Sequence, residues 1–413
     1  MATGTESLES RINYRDLMKN VEQVVSTIQR SAETGRTIQS AADAILAKFR
    51  EELGLSGGRL YRRQIPVYSL LTTFGAARPL PAGLEVPASY PVLMAVVEQG
   101  TVVMDRDDPG VDPGLEDVLG VKRFAALEVG DGDFVLAFDV EPRHHREDLL
   151  LSLGILRHAI NQKIRQERME GIFLQARKIQ TSILPKRAPD YGRFDIAGRA
   201  VPMEQVGGDF YDFIPITDKI LGLAIADVSG HGLPAALQVR DIYVGLRMGM
   251  ARDFKIVRTV ERLNDIIHRS TLTSRFVSMF YGELELNGVF IYVNAGHPPP
   301  FHLTADGKAT LLEEGGPVLG PVQGASYERG FVTMAPGDLL VLTTDGILET
   351  ESAAKKGGRE EFGVERLIDT VRQHQARPAA EIVGAIFEAV DKFSCGRAAK
   401  DDRTVVVVRY PPA

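Results

Sequence analysis

The apolar positions of this chain change rhythm along its length. Between residues 8 and 30 they fall at Leu8, Ile12, Leu17, Val21, Val24, Val25 and Ile28, near one face of a helix. Ile38, Ala41, Ala42, Ile45, Leu46 and Phe49 repeat that pattern, so a second helix is expected from Ile38 to Leu53, where "GLSGG" stops it. From Arg59 to Val140 the rhythm becomes strand-like. "LYRR", "YSLLTTFG", "GTVVMD" and "RFAALEVGDGDFVLAFDV" alternate with turn residues, and "YPVLMAVVEQG" reads as a short helix among them. Residues 147 to 184 form one long helix. Its Leu149, Leu153, Leu156 and Ile160 are spaced 4, 3 and 4, a heptad rhythm. Past Gly171, a kink or stutter, the seam resumes with Phe173, Ala176, Ile179 and Ile183. The spacing fits packing on the helix's own domain or a parallel homodimer seam, and we read it as a dimeric coiled coil. Pro185 and Pro189 close the segment.

Residues 191 to 413 carry a second set of strands: "FDIAGRAV", "ILGLAIAD", "VSMFYGELEL", "VFIYVNAG", "DLLVLTTD" and "TVVVVRY". Helices are expected at about 233–250, 256–270, 363–373 and 378–393. Several strands adjoin without a helix between them, which predicts an α+β sheet sandwich and not a doubly wound sheet. In the first half, the order of helix, strands, short helix, strands and long helix resembles a GAF domain, a small sensory fold with a sheet between helices. That resemblance covers roughly residues 36 to 165. The Asn-Lys…Phe…Asp-Glu signature of cyclic-nucleotide-binding GAF domains is not evident, which leaves the ligand open. The expected division is an N-terminal helix (1–35), a GAF-like domain (36–146), a helical linker (147–190) and a second domain (191–413).

A chain of 413 residues exceeds one ordinary core. Its net charge of -7 argues weakly against a nucleic-acid partner. No apolar run reaches the roughly 18 residues of a membrane span. The opening "MATGTESLESR" does not read as a signal peptide. The lone Cys395 excludes an intrachain disulfide and a thiolate metal site, so a reducing cytoplasm is expected.

Four strand ends carry carboxylates. "VGGDFYDF" places Asp209 and Asp212 beside glycines, and "AIADVSGHG" places Asp227 after an apolar strand. "LLVLTTDGILE" places Asp345 after another, and "KDDRTVVVVRY" places Asp401 and Asp402 before the last. Taken singly, each reads as a turn or a solvated loop. Taken together they can meet at one edge of a sheet. Clustered carboxylates repel unless a cation neutralises them, and oxygen-only ligands suit Mg2+ or Mn2+.

"VGGDFYDF", "ADVSGHG", "NAGHPPP", "TDGILE" and "DDRTVVVV" stand in the order found in SpoIIE-like phosphatases, which belong to the PPM (type 2C) metal-dependent serine/threonine phosphatases. The resemblance covers nearly all of residues 191 to 413, and "ARKIQTSILP" is similar to the linker helix that leads into such domains. It implies a β-sandwich flanked by helices, with two Mn2+ or Mg2+ ions at one end. Asp227 would bridge the ions and act in catalysis through a water they activate. Asp209, Asp345, Asp401 and the Val228 backbone carbonyl would complete the metal set. Asp212, Asp402 and His231 would stand behind these ligands. His297 would order a loop or act as a general acid. The implied substrate is a phosphoserine or phosphothreonine on a STAS-domain anti-anti-sigma protein. An unknown small-molecule or protein effector at the GAF-like domain would control it, with residues 233–270 as the movable element. Two other functions stay open: a non-catalytic scaffold that holds a cation, and a nucleotide cyclase. The second arises because "GGDF" at 207–210 is similar to the GGDEF motif, although Phe210 stands where a glutamate is expected.

Overall fold

The computed structural model describes residues 14–27, 34–142, 144–230, 232–250, 255–270, 276–352 and 360–412. It divides into two compact units, Met1–Gly171 and Ile172–Ala413.

The first unit runs α1 (Tyr14–Thr27), α2 (Thr34–Phe49), β1 (Leu55–Gln64), β2 (Val67–Gly75), β3 (Glu85–Pro87), α3 (Pro91–Gln99), β4 (Thr101–Asp105), α4 (Pro113–Leu119), β5 (Arg123–Val129), β6 (Phe134–Val140) and the start of α5 (Arg146–Ile183). Its antiparallel sheet has the order β3-β2-β1-β6-β5-β4. One sheet face packs with Leu17, Ile38 and Phe49 of α1 and α2 and with Leu153 of α5. The other buries Tyr68, Val96, Val121 and Phe124 with α3 and α4. Helix α4 is an addition to the expected elements. Asp112 caps it by accepting from the Gly114 amide at 2.9 Å, with Pro113 in its first turn. Seven residues are too few to show a periodic stripe.

The dimer seam read from the sequence is corrected by this packing. Leu149, Leu153, Leu156 and Ile160 are 0–1 % exposed, inside the core of their own unit. A heptad rhythm specifies an apolar stripe but not what covers it, and here the chain's own sheet and helices do. Of the seam expected past Gly171, Ile179 is exposed, and so are Met169 and Ile172, on faces of α5 other than the one that carries Leu149.

The second unit continues from α5 with β7 (Asp195–Val201), β8 (Asp209–Thr217), β9 (Ile220–Val228), α6 (Leu233–Met250), α7 (Ile256–Arg269), β10 (Val277–Glu285), β11 (Val289–Ala295), β12 (Phe301–Leu303), β13 (Ala309–Leu311), β14 (Gly315–Gly316), β15 (Gly330–Thr333), β16 (Leu339–Thr343), α8 (Asp345–Leu348), α9 (Gly363–His374), α10 (Ala379–Ser394) and β17 (Arg403–Arg409). One sheet has the order β14-β11-β10-β9-β8, with β15 on β11, and the other β13-β12-β16-β17-β7. Tyr211, Phe213, Leu223, Ile225 and Phe280 of the first meet Leu340, Leu342, Val406 and Val408 of the second in a shared core. The outer face of the first sheet packs under α6 and α7 through Val239, Leu246, Val260 and Leu263. The outer face of the second packs under α9 and α10 through Leu367, Val371, Ile386 and Val390. The result is a four-layer helix–sheet–sheet–helix unit of α+β class. Among the described residues, no helix is long and apolar enough to cross a membrane.

Candidate metal centre

Strand parity decides which carboxylates meet. Leu223 and Ile225 point into the sandwich, so Asp227, two residues on, does so at the end of β9. Tyr211 and Phe213 do the same for Asp209, the register partner of Asp227. In the facing sheet Leu342 and Val406 point inward, and the same parity brings Thr344, Thr404 and Asp402 inward. The two rows close on Asp209, which is 5 % exposed. The Thr344 and Thr404 hydroxyls donate to its Oδ2 at 2.8 and 2.6 Å. The Thr404 amide donates to the Thr344 hydroxyl at 3.0 Å. Burial holds the Asp209 carboxyl well above its ordinary range, Asp227 adds to this, and the two hydroxyls oppose it.

Asp402 organises the backbone beside Asp209. Its carboxylate accepts from the amides of Met203 at 2.7 Å, Gly208 at 2.6 Å and Asp209 at 3.4 Å. Both glycines of the turn make room. A Cβ on Gly207 would lie 2.2 Å from Asp402 Oδ2. One on Gly208 would lie 2.7 Å from the Val228 carbonyl oxygen and 3.5 Å from Asp227 Oδ1. Gln180, near the end of α5, holds the same turn. Its amide nitrogen donates to the Gly207 carbonyl, and the Gly207 amide donates back to its Oε1 at 3.2 Å.

Asp227 and Asp345 are acids without a compensating base. Burial, then Asp345, Asp401, Asp402 and Glu349, push Asp227 up to about 7. Burial, then Asp401 and Glu349, push Asp345 up to about 6. Asp345 Oδ1 is buried with no hydrogen-bond partner. Asp401 is exposed, and its Oδ1 accepts from the Asp402 amide at 2.8 Å. Among the described residues no three His, Cys, Asp or Glu side chains are drawn together tightly enough to chelate an ion. Each of these carboxylates lies within reach of the others' charge. The donor set is all oxygen, one buried oxygen is unpaired, and the absent Cβ of Gly208 leaves the Val228 carbonyl uncrowded on that side. These residues fit a hard divalent cation.

Two sequence candidates take other roles, and a third lies outside the described residues. Asp212 is three residues from Asp209 and so faces the other side of β8. It pairs with Arg247 of α6, and its Oδ1 accepts from the Phe213 amide at 2.9 Å. It stands behind none of the metal candidates. His231 lies outside the described residues. His297 is 3 % exposed, and burial pushes its imidazole down to about 3. A ring that stays neutral near neutral pH lacks the acidic imidazolium proton that a general acid would use. Thr344, Thr404 and Glu349 also lie inside the quoted motifs, and parity with Leu342 and Val406 marks the two threonines as inward-facing. Gln180 has no local signal, because its partner lies 27 residues away.

The model of the family Stage II sporulation protein E (SpoIIE) matches residues 217–411. Phosphoserine phosphatase RsbU of Bacillus subtilis is 30 % identical over 254 residues, covering 61 % of this chain and 73 % of RsbU. Protein IcfG of Synechocystis sp. is 26 % identical over 330 residues, covering 70 % of this chain and 50 % of IcfG. Among solved structures, the SiaA-PP2C domain of Pseudomonas aeruginosa is similar in fold, with a TM-score of 0.52 and 22 % identity over 60 % of this chain and 98 % of that one. The oxygen-lined end of the sandwich, the family match and the coverage of RsbU agree: this chain belongs to the SpoIIE family of metal-dependent, PP2C-type serine/threonine phosphatases.

Proposed function

We propose that the second unit hydrolyses a phosphoserine or phosphothreonine on a STAS-domain anti-anti-sigma protein. One observation carries the reading of the site: Asp227 is surrounded by Asp345, Asp401, Asp402 and Glu349, with no base among its leading electrostatic neighbours. Asp209, Asp227, Asp345, Asp401 and the Val228 carbonyl would hold two Mn2+ or Mg2+ ions. Bound there, such ions supply Lewis acidity that activates water and offsets charge on the phosphoryl oxygens. The chain's residues set the frame. Thr344 and Thr404 both donate to Oδ2 of Asp209, which would leave Oδ1 for an ion. Asp402 fixes the glycine turn, and the neutral His297 keeps the wall uncharged. RsbU's description as a phosphoserine phosphatase supports the bond cleaved, and the family resemblance supports the STAS class. Purified full chain is expected to release phosphate from a phosphorylated STAS protein in Mn2+ and not in EDTA, and faster than from an unrelated phosphoprotein. Equal rates on both would defeat the STAS assignment. Mn2+ binding without turnover on either would favour the cation-holding scaffold.

The proposal extends to the first unit, as a cytoplasmic GAF-like sensor acting through α5. The support is Gln180, which ties α5 to the turn that precedes Asp209. A sensor state that shifts α5 would bias that turn, which couples the sensor to metal binding thermodynamically. A homodimer belongs to the same reading, through the exposed Met169, Ile172 and Ile179 in place of the buried leucines. Ile172 and Ile179 are seven residues apart on one helix face. An Ile172→Asp, Ile179→Asp double variant is expected to be monomeric by light scattering and to change the phosphatase rate. A wild-type chain that is monomeric at high micromolar concentration would overturn the dimer.

A further inference from the structure

His297 is held twice, and only one hold is needed for its loop. The Asn294 side chain accepts from the His297 amide at 2.8 Å and donates to the carbonyls of His297 at 3.1 Å and Leu312 at 3.2 Å. Those bonds shape the turn after β11 without the imidazole. The ring reaches further. Its Nδ1 lies 3.0 Å from the Ser278 hydroxyl. Its Nε2 is buried with no hydrogen-bond partner, and the Thr343 backbone is the polar group that acts on the ring.

The two ends of the ring point to a use. Ser278 is the β10 register partner of Asp227, so the two side chains stand side by side on the inner face. Thr343 ends β16, two residues before Asp345. The imidazole therefore spans the gap between the sheets, from the neighbour of Asp227 to the strand that delivers Asp345. Ser278 and His297 are 7 % and 3 % exposed, so solvent does not fill that gap for them.

We propose that His297 and Ser278 are a positioning pair, in which the ring acts as a strut that sets the separation of Asp227 and Asp345 for metal binding. This rests on the reading that those two aspartates hold ions. Neither residue exchanges a proton with substrate. Removing the strut lets the sheets settle at a spacing set by the carboxylates' own repulsion.

The test is Mn2+ titration calorimetry on the full chain, with the melting temperature of the metal-free protein measured alongside. Ser278→Ala and His297→Leu are expected to weaken Mn2+ binding about 10- to 100-fold, the usual cost of losing a group that supports a ligand. The Mn2+ concentration for half-maximal phosphatase activity should rise by the same factor. His297→Gln, whose amide extends toward the Nε2 position, should recover more of the affinity than His297→Asn, whose shorter amide stops near Nδ1. Unchanged Mn2+ affinity in folded Ser278→Ala and His297→Leu overturns the proposal. Affinity that falls only in step with the melting temperature, with no recovery in His297→Gln, also overturns it and leaves a structural role. If the wild-type chain binds no Mn2+, the ligand assignment fails and takes this proposal with it. If the wild type binds and the variants bind equally well, only the strut fails.

Discussion

Asp227→Asn is expected to remove Mn2+-dependent phosphatase activity while making the metal-free protein more stable. The activity loss follows from charge. A bound cation contributes several kcal/mol of transition-state stabilisation, and about 1.4 kcal/mol is a decade in rate, so roughly a thousandfold or greater loss is expected. The stability gain follows from linkage. Asp227 moves from 3.8 in the unfolded chain to about 7 in the folded one, through burial and then its acidic neighbours. Between those values the folded state binds more protons than the unfolded state, so stability falls as pH climbs from about 4 to 7. Below that window both states are protonated and the penalty is absent. Above it the penalty is complete. Asparagine carries no charge and removes this share of the slope. In EDTA at pH 7.5 the variant should therefore melt above wild type. Mn2+ should reverse the order, because binding at a hundred times Kd adds about 2.7 kcal/mol to the wild type and little to the variant. A folded variant with near-normal turnover, or with an equal Mn2+-induced rise in melting temperature, would sink the assignment.

The acidic strand ends were legible because a buried strand such as Leu221–Ala226 has no packing reason to finish in a carboxylate. The four long helices α6, α7, α9 and α10 were legible from their stripes and lie within a few residues of the expected positions, whereas the four-residue α8 was not expected. Parity also held information that was left unused. Asp209 and Asp212 are an odd number of residues apart on one strand, so they cannot share a face, and Arg247 claims the second. The covering partner of a stripe was not legible. Leu149 to Ile160 repeat as a heptad seam should, yet they are buried in their own unit, while Ile179 of the seam expected past Gly171 is exposed. That outcome depends on where the sheet of the first unit ends. Gln180 with Gly207, and Ser278 with His297, are long-range pairings of polar groups, and no local pattern announces such a pair.

Gly208→Ala is expected to cost metal binding through one methyl group. Gly208 lies outside the left-handed region, so alanine meets no backbone penalty there. Its Cβ would instead lie 2.7 Å from the Val228 carbonyl oxygen, a contact with backbone that has little freedom to move. Ala235 Cβ at 3.4 Å closes the other side. Strand β9 or the glycine turn must shift by several tenths of an ångström, and overpacking of this kind costs about 1–3 kcal/mol. The turn is also held by Asp402 and Gln180, so the strain falls on the Asp227–Val228 end of β9, where the carbonyl and carboxylate face the site. Mn2+ affinity by calorimetry should drop at least about tenfold, in line with the loss of a group that supports a ligand. Gly384→Ala is the matched control. It lies within α10, its Cβ would meet nothing within 4 Å, and it should stabilise the protein by about 0.5–1 kcal/mol with Mn2+ affinity unmoved. A Gly208→Ala protein that binds Mn2+ like wild type and melts at the same temperature would show that the Val228 carbonyl has room to spare and takes no part in holding the ions.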